Sequence, residues 1–345
     1  MHRSAQTPVF DGHNDVLLRL WKGGLDGASR RFLDGEEAGH IDLPRARQGG
    51  LAGGLCAIYV PSERVKDANG NWPTPARTEA LDVTLAMAGI LTRIERDSAG
   101  AVRICRSAAD IEAAIASGVF ASVMHIEGAE AIGADLDLLY VLHAAGLRTL
   151  GPVWSRPNIF AFGVPFEFPS TPDIGPGLSA AGADLIRACN ELRIMVDLSH
   201  MNEKGFWDIA RLSNAPLVAS HSNVQGICKH SRNLTDRQLD AIRDSHGLAG
   251  INYGTSFLCE DGQKHPDMAL SQMVRHIDYM VERMGIDHVA LGSDFDGTSI
   301  PAAMRDVRDL PKLVDALVAG GYDGDDLDKI THKNWIRVLR ETWGA

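Results

Sequence analysis

Six side chains that could do metal chemistry stand at or just past the ends of short apolar runs. They are His13 and Asp15 in PVFDGHND, Glu127 in VFASVMHIE, His200 in RIMVDLSH, His221 in APLVASHS and Asp294 in DHVALGSDFDG. His13 and Asp15 are two residues apart, so in an extended segment both point to one face. Three carboxylates gathered out of water without cations would be costly. Divalent metals remove that cost, and histidines with carboxylates suit zinc, or Mn, Co or Fe. One ion takes about four ligands. Five ligand candidates and a further acid therefore suggest two ions sharing one carboxylate, an arrangement able to activate water for hydrolysis. The blander reading is a polar rim with no metal.

These residues converge only if the runs are neighbouring strands. Eight runs, at 8–15, 53–61, 119–128, 147–155, 193–200, 215–222, 247–254 and 287–297, are short, largely apolar and bounded by Gly, Pro or polar residues. Buried parallel strands read this way. Helical spacing separates most of them, at 78–97, 107–118, 133–146, 179–192, 202–213, 235–246 and 268–285. Ser107 followed by Asp110 is a near capping box. Eight rounds of strand and helix predict an α/β fold, a single closed (β/α)8 TIM barrel of the metal-dependent hydrolase type over residues 1–345, with an open doubly wound sheet as the alternative. In the barrel, C-terminal strand ends meet at one mouth. No GxGxxG follows a strand, so a dinucleotide site gains no support. Residues 22–50 read as a Gly- and charge-rich connection. Residues 156–178 read as a structured loop over the mouth, whose phenylalanines line a substrate wall or pack on the rim. The stripe of Trp335, Val338 and Leu339 in the last segment predicts a helix anchored to the body.

With 345 residues and 45% hydrophobic content, the chain can bury a large core. The net charge of −11 and the lack of a basic stripe argue against nucleic acid as a partner. No apolar run reaches membrane-spanning length, so no membrane partner is expected. The first residues lack the apolar core of an export signal, and the expectation is a cytoplasmic protein. Five widely spaced cysteines without a CxxC disfavour a thiolate zinc site or a disulfide framework.

The ordered set DGHND (11–15), HIEGAE (125–130), VDLSH (196–200), SHSN (220–223), SRN (231–233) and GSDFDG (292–297) resembles the membrane, or renal, dipeptidase family of zinc peptidases over almost the whole chain. The resemblance implies a barrel with two Zn(2+) ions that hydrolyses dipeptides through a metal-bridging hydroxide. It implies His13 and Asp15 as ligands of the first ion, Glu127 as the bridging carboxylate, and His200 and His221 as ligands of the second. It also implies Asp294 as the acid handling the water proton and Arg232 as the holder of the substrate's C-terminal carboxylate. The family leans toward homodimers. The planar fork of Arg232 suits a carboxylate; a salt bridge to Asp236 is its alternative. Related metal hydrolases acting on N-acyl-D-amino acids or other small amides, and a metal-binding barrel without turnover, are the competing functions.

The chain departs from the family where many members carry a histidine after the fourth strand. Trp154 stands there and can wall a pocket but cannot carry a proton as imidazole does. Arg156 is read as compensating charge or, more simply, as a surface or loop-anchoring residue. Asn252 and Tyr253 are candidates for the substrate pocket, with packing as the alternative. His125 and Asp11 are expected to support the ligands, Asp296 to fix its loop, and His230 to shape the pocket near Arg232.

Overall fold

The computed structural model describes residues 7–62, 65–66 and 72–344. Residues 1–6 of the stretch on which the export-signal reading rests lie outside the described residues. Among the described residues there are nine strands: β1 (Val9–Asn14), β2 (Leu51–Tyr59), β3 (Val102–Ile104), β4 (Phe120–Glu127), β5 (Leu147–Gly151), β6 (Met195–Val196), β7 (Val218–Ala219), β8 (Leu248–Ile251) and β9 (Val289–Leu291). All ladders are parallel, in the orders β1-β2-β4-β5-β6 and β7-β8-β9. Parallel bridges Asp197↔Val218 and Asn14↔Phe295 join the two curved sheets at both seams. The predicted eight-stranded barrel is thereby formed.

β3 is the extra strand, absent from the sequence reading. It pairs with the first residues of β4 (Val102↔Phe120), while β5 takes the later part of β4 (Glu127↔Gly151). Residues 22–50 are also more ordered than expected. They carry the helices Ala28–Asp34 and Leu43–Gly49, the second capped by Asp42 accepting from the Arg45 amide. Helices Val16–Lys22 and Leu310–Ala319 likewise escaped the periodicity reading. Residues 156–178 hold no helix or regular strand, as expected of a loop. The Ser107 cap is a full capping box, with Ser107 and Asp110 each accepting the other's amide.

Two apolar layers hold the frame. Outside the strands, the helix Arg77–Asp97 buries Ala80, Val83, Met87, Ile90, Leu91 and Ile94, the stripe that 3.6-residue periodicity demands. Phe10, Leu55, Val123, Met195, Val218, Leu248 and Ala290, from seven barrel strands, cluster with Trp335, Val338 and Leu339 of the helix Asn334–Trp343. The terminal helix therefore packs against strand side chains, with Trp335 Nε1 donating to the Leu291 carbonyl at 2.9 Å. The fit requires Gly12: a Cβ there would stand 2.3 Å from the Trp335 ring and 2.6 Å from the Ser220 carbonyl. Among the described residues no helix is long and apolar enough to cross a membrane. All five cysteines are free and buried.

Candidate metal centre

The six side chains named from the sequence meet at the C-terminal mouth. His13 lies near the end of β1, and Asp15 immediately precedes the helix that follows, without a side-chain capping bond. Glu127 is the last residue of β4, whereas His200, His221 and Asp294 lie just past β6, β7 and β9. Glu127 Oε1 is 3.0 Å from His200 Nε2, 3.4 Å from His221 Nε2 and 3.6 Å from His13 Nε2. His13 Nε2 is 3.5 Å from Asp15 Oδ2. Potential ligand atoms of His13, Glu127 and His221 lie within 4.8 Å of one another, as do those of His13, Asp15 and Asp294.

The surrounding residues aim the rings. Ser155 Oγ is 2.7 Å from His200 Nδ1, and Ser220 Oγ is 2.7 Å from His221 Nδ1. Both Nε2 atoms are then turned toward Glu127 and lie 3.1 Å apart. Asp197 anchors this layer. It accepts from the amides of Ser199 and Ser220, at 3.0 and 2.8 Å, and from the Ser220 hydroxyl. Sequence reasoning quoted Asp197 and Ser220 within motifs but gave them no part, and it missed Ser155; adjacency to the histidines in VDLSH and SHSN was the available signal. His125 lies beneath, 3.0 Å from Thr149 Oγ1 and 3.6 Å from Asp197 Oδ2. Asp11 straps β1 to the residues after β9, accepting from the Ser293 amide and hydroxyl at 2.6 and 2.7 Å. Asp296 accepts from the His40 amide at 2.6 Å and Arg19 Nε at 3.1 Å, fixing the loop as expected.

The charge balance fits bound cations. Burial pushes the Glu127 carboxyl well above its ordinary range, with Asp15 and Asp294 adding to the rise and His13 opposing it. Burial and the nearby Asp15 raise Asp294 to about 7. Burial opposes charge on His13, but Glu127, Asp15 and Asp294 together lift it to about 10. Burial, helped by Arg232, keeps His200 well below the ordinary range, and burial does the same for His221. His200 and His221 are thereby held neutral, as metal ligands must be, and a cation would take the place of the protons held on His13 and the raised carboxyls. Both ring nitrogens of His13 and one oxygen of Asp15 are buried without a hydrogen-bond partner. A cation would take one of these ring nitrogens together with the Asp15 carboxylate and relieve the carboxylate repulsion.

A cavity of about 340 Å³ opens over the cluster, lined by Asp15, Glu127, His200 and Asp294 and by an aromatic side that includes Trp154 and Phe166. Arg232 is buried, donating to the Ser222 hydroxyl at 3.3 Å and the His221 carbonyl at 3.1 Å, with Nε unpartnered. The salt bridge to Asp236 does not form; Asp236 pairs with Arg283 at 2.9 Å. His230 Nδ1 accepts the Arg232 amide at 3.1 Å. Asn252 Nδ2 donates to Asp294 Oδ2 at 2.9 Å, so it orients that acid. Tyr253 points the other way, fully buried against Phe295 at 5.5 Å, and takes the packing alternative. Arg156 is no surface residue. It is fully buried and tied to Glu130 Oε1 at 2.8 Å, Ser62 Oγ at 2.6 Å and the Val60 carbonyl at 2.7 Å, the loop anchor of the two readings.

A closed parallel barrel with a buried His/Asp/Glu cluster at its C-terminal mouth defines the metal-dependent hydrolase class. Comparison with known proteins narrows this. The model of the membrane dipeptidase family, peptidase family M19, matches residues 3–344. A crystal structure of a metallopeptidase from Rhodobacter sphaeroides, liganded with a phosphinate mimic of the dipeptide L-Ala-D-Ala, is 49% identical with a TM-score of 0.95, covering 98% of this chain and 100% of that one. A crystal structure described as dipeptidase AC, a family M19 metallopeptidase, is 51% identical with a TM-score of 0.95, covering 99% and 100%. Dipeptidase tcpJ of Claviceps purpurea is 30% identical over 96% of this chain and 76% of its own length. The chain belongs to the membrane dipeptidase family, peptidase family M19, and by that membership is a metal-dependent dipeptidase.

Proposed function

We propose that this protein hydrolyses the peptide bond of dipeptides bearing a free C-terminal carboxylate, with two zinc ions at the strand-end cluster. One observation carries the reading: a single carboxylate oxygen of Glu127 lies within 3.6 Å of Nε2 atoms from three histidines. His13 and Asp15 would hold one ion, His200 and His221 the other, and Glu127 would be shared. When bound, such ions supply Lewis acidity to an amide carbonyl and lower the pKa of water toward neutrality.

The chain's own residues complete the chemistry. Asp294 accepts a proton from the attacking water as the oxygen–carbon bond forms. It passes that proton to the amine nitrogen as the carbon–nitrogen bond breaks. The 2.9 Å bond from Asn252 holds the carboxylate in place for both transfers. Arg232, whose Nε lacks a partner, offers its fork to the substrate carboxylate. The phosphinate dipeptide mimic bound by the Rhodobacter sphaeroides relative supports a dipeptide ligand.

The test pairs metal with turnover. Chelation should abolish dipeptide hydrolysis, and added zinc should restore it. Asp294→Asn should keep the metal content near that of the wild type and cut kcat by at least about tenfold. Unchanged turnover in that variant would end the proton role; zinc-loaded protein inert toward a broad dipeptide panel would end the functional reading.

A further inference from the structure

The cavity has one side of acids and another of rings. Trp154 stands at the centre of the second. Its ring centroid is 5.2 Å from Tyr59, 5.4 Å from Phe166 and 5.8 Å from the His200 imidazole. Phe166 stacks on Phe257 at 6.0 Å with 21° between the planes. Phe257 in turn lies 5.7 Å from the Arg232 guanidinium. A continuous aromatic wall thus runs from Arg232 to His200.

The wall is stiff. The Arg156 guanidinium sits 5.3 Å from the Trp154 ring and 5.5 Å from the Tyr59 ring. Cations prefer the faces of such rings. Each of the three guanidinium nitrogens already donates to Glu130, Ser62 or Val60. Arg156 therefore backs the wall, with its guanidinium held by Glu130, Ser62 and Val60. A fixed apolar surface beside the reacting centre discriminates substrates by the apolar area they bury against it.

Its position tells which part of a dipeptide it meets. On the reading proposed above, on which this inference rests, the substrate carboxylate lies at Arg232 and the scissile amide at the His200 and Glu127 end. The α-carbon between these two groups belongs to the C-terminal residue. We infer that Trp154, with Phe166 and Phe257, forms the specificity wall for the C-terminal side chain, and that this side chain is bulky and apolar.

The experiment measures kcat/KM of the zinc-loaded protein on Ala-Xaa and Xaa-Ala dipeptides, with Xaa as Ala, Leu or Phe in both L and D forms at the C-terminal position. In the favoured stereochemical series, Ala-Leu or Ala-Phe should exceed Ala-Ala by about tenfold or more, and the Xaa-Ala series should spread less. Trp154→Ala should collapse the Ala-Phe to Ala-Ala ratio to within about threefold, and Trp154→Phe should keep most of it. The ratio is internal to each variant, so loss of overall rate or of some folded protein leaves it readable. Equal kcat/KM along the Ala-Xaa series, a larger spread in the Xaa-Ala series, or an unchanged ratio in Trp154→Ala overturns the inference while the dipeptidase reading stands. No turnover of any dipeptide removes that reading and the inference with it.

Discussion

Removing the metal should expose the site's charge imbalance as a pH dependence above neutrality. In the metal-free fold His13 is lifted from 6.5 to about 10 by Glu127, Asp15 and Asp294, against the cost of its burial. A histidine raised in this way stabilises the native state fully below its unfolded pKa. The contribution is lost as pH climbs toward the folded value. Between pH 7 and 9 the native protein therefore holds about one more proton than the unfolded chain, and stability falls by on the order of 1 kcal/mol per pH unit, a few kcal/mol over the window. Asp294, raised from 3.8 to about 7, adds the same sign near the lower edge. Below pH 6.5 the opposite sign enters. Burial holds His125, His230 and His276 near 4 and keeps His200 and His221 well below 6.5, so five histidines outnumber the raised carboxyls of Asp11, Glu127 and Asp294, the unfolded chain binds more protons there, and stability rises with pH. The urea midpoint of chelator-stripped protein should consequently peak near neutrality and drop by pH 9. Zinc loading should flatten that alkaline limb, because bound cations replace the proton on His13. His13→Asn should flatten it in the stripped protein. A stripped wild type with a level midpoint from pH 7 to 9, or a His13→Asn variant with an undiminished slope, would refute the reasoning.

Three further outcomes follow from contacts already described. Arg232→Met should raise KM for dipeptides with a free carboxylate far more than for their C-terminal amides; equal losses on both would remove the recognition role. Asp197→Asn should weaken zinc retention by about 10- to 100-fold in chelator competition, since Asp197 fixes the Ser220 hydroxyl that orients His221. Wild-type retention in that variant would show that this hydrogen-bonded layer does not tune the ligands. Gly12→Ala should destabilise the fold by about 1–3 kcal/mol through the forced displacement of Trp335, read as a lower thermal midpoint.

The sequence was legible where one local rule decided the structure. β1 and β4 are apolar runs with polar tips, so their ends placed His13 and Glu127 directly. β6 and β7 are only two residues long, yet the positions of His200 and His221 still emerged, because each follows its run by a few residues. The reason those strands stop was not visible: Asp197 takes up the Ser199 and Ser220 amides with its side chain. Asn252 and Tyr253 show a limit of a different kind. Neighbours at a strand end face opposite ways, so one could enter the site and the other the core, and the sequence did not say which. Arg156 depended on partners 26, 94 and 96 residues away, which no local pattern carries. The helix Ala28–Asp34 buries Ala28, Ser29 and Phe32 and packs Leu33 part-way, too few apolar side chains for a periodic signal.

Backbone conformation ties residues of the site to the frame more tightly than their side-chain chemistry alone would. His200, Asp294 and Asp296 have φ of 66°, 57° and 67°, a left-handed region in which residues other than glycine are uncommon. Such residues cost on the order of 1 kcal/mol each and persist only where surrounding contacts fix them. Those contacts are present: the His200 carbonyl accepts from the Val164 amide at 2.8 Å, the Asp294 amide donates to the His13 carbonyl at 2.9 Å, and Asp296 is held by His40 and Arg19. Glycine at position 200 would relieve the strain and delete the imidazole. The turn is thus tolerated because it brings His200 to Glu127, and the loop 156–178 that supplies Val164 also carries the Phe166 ring of the cavity wall. On the proposed function, the metal ligand, the strained turn and the substrate wall form one mechanical unit, so changes in loop 156–178 should perturb zinc retention and substrate choice together.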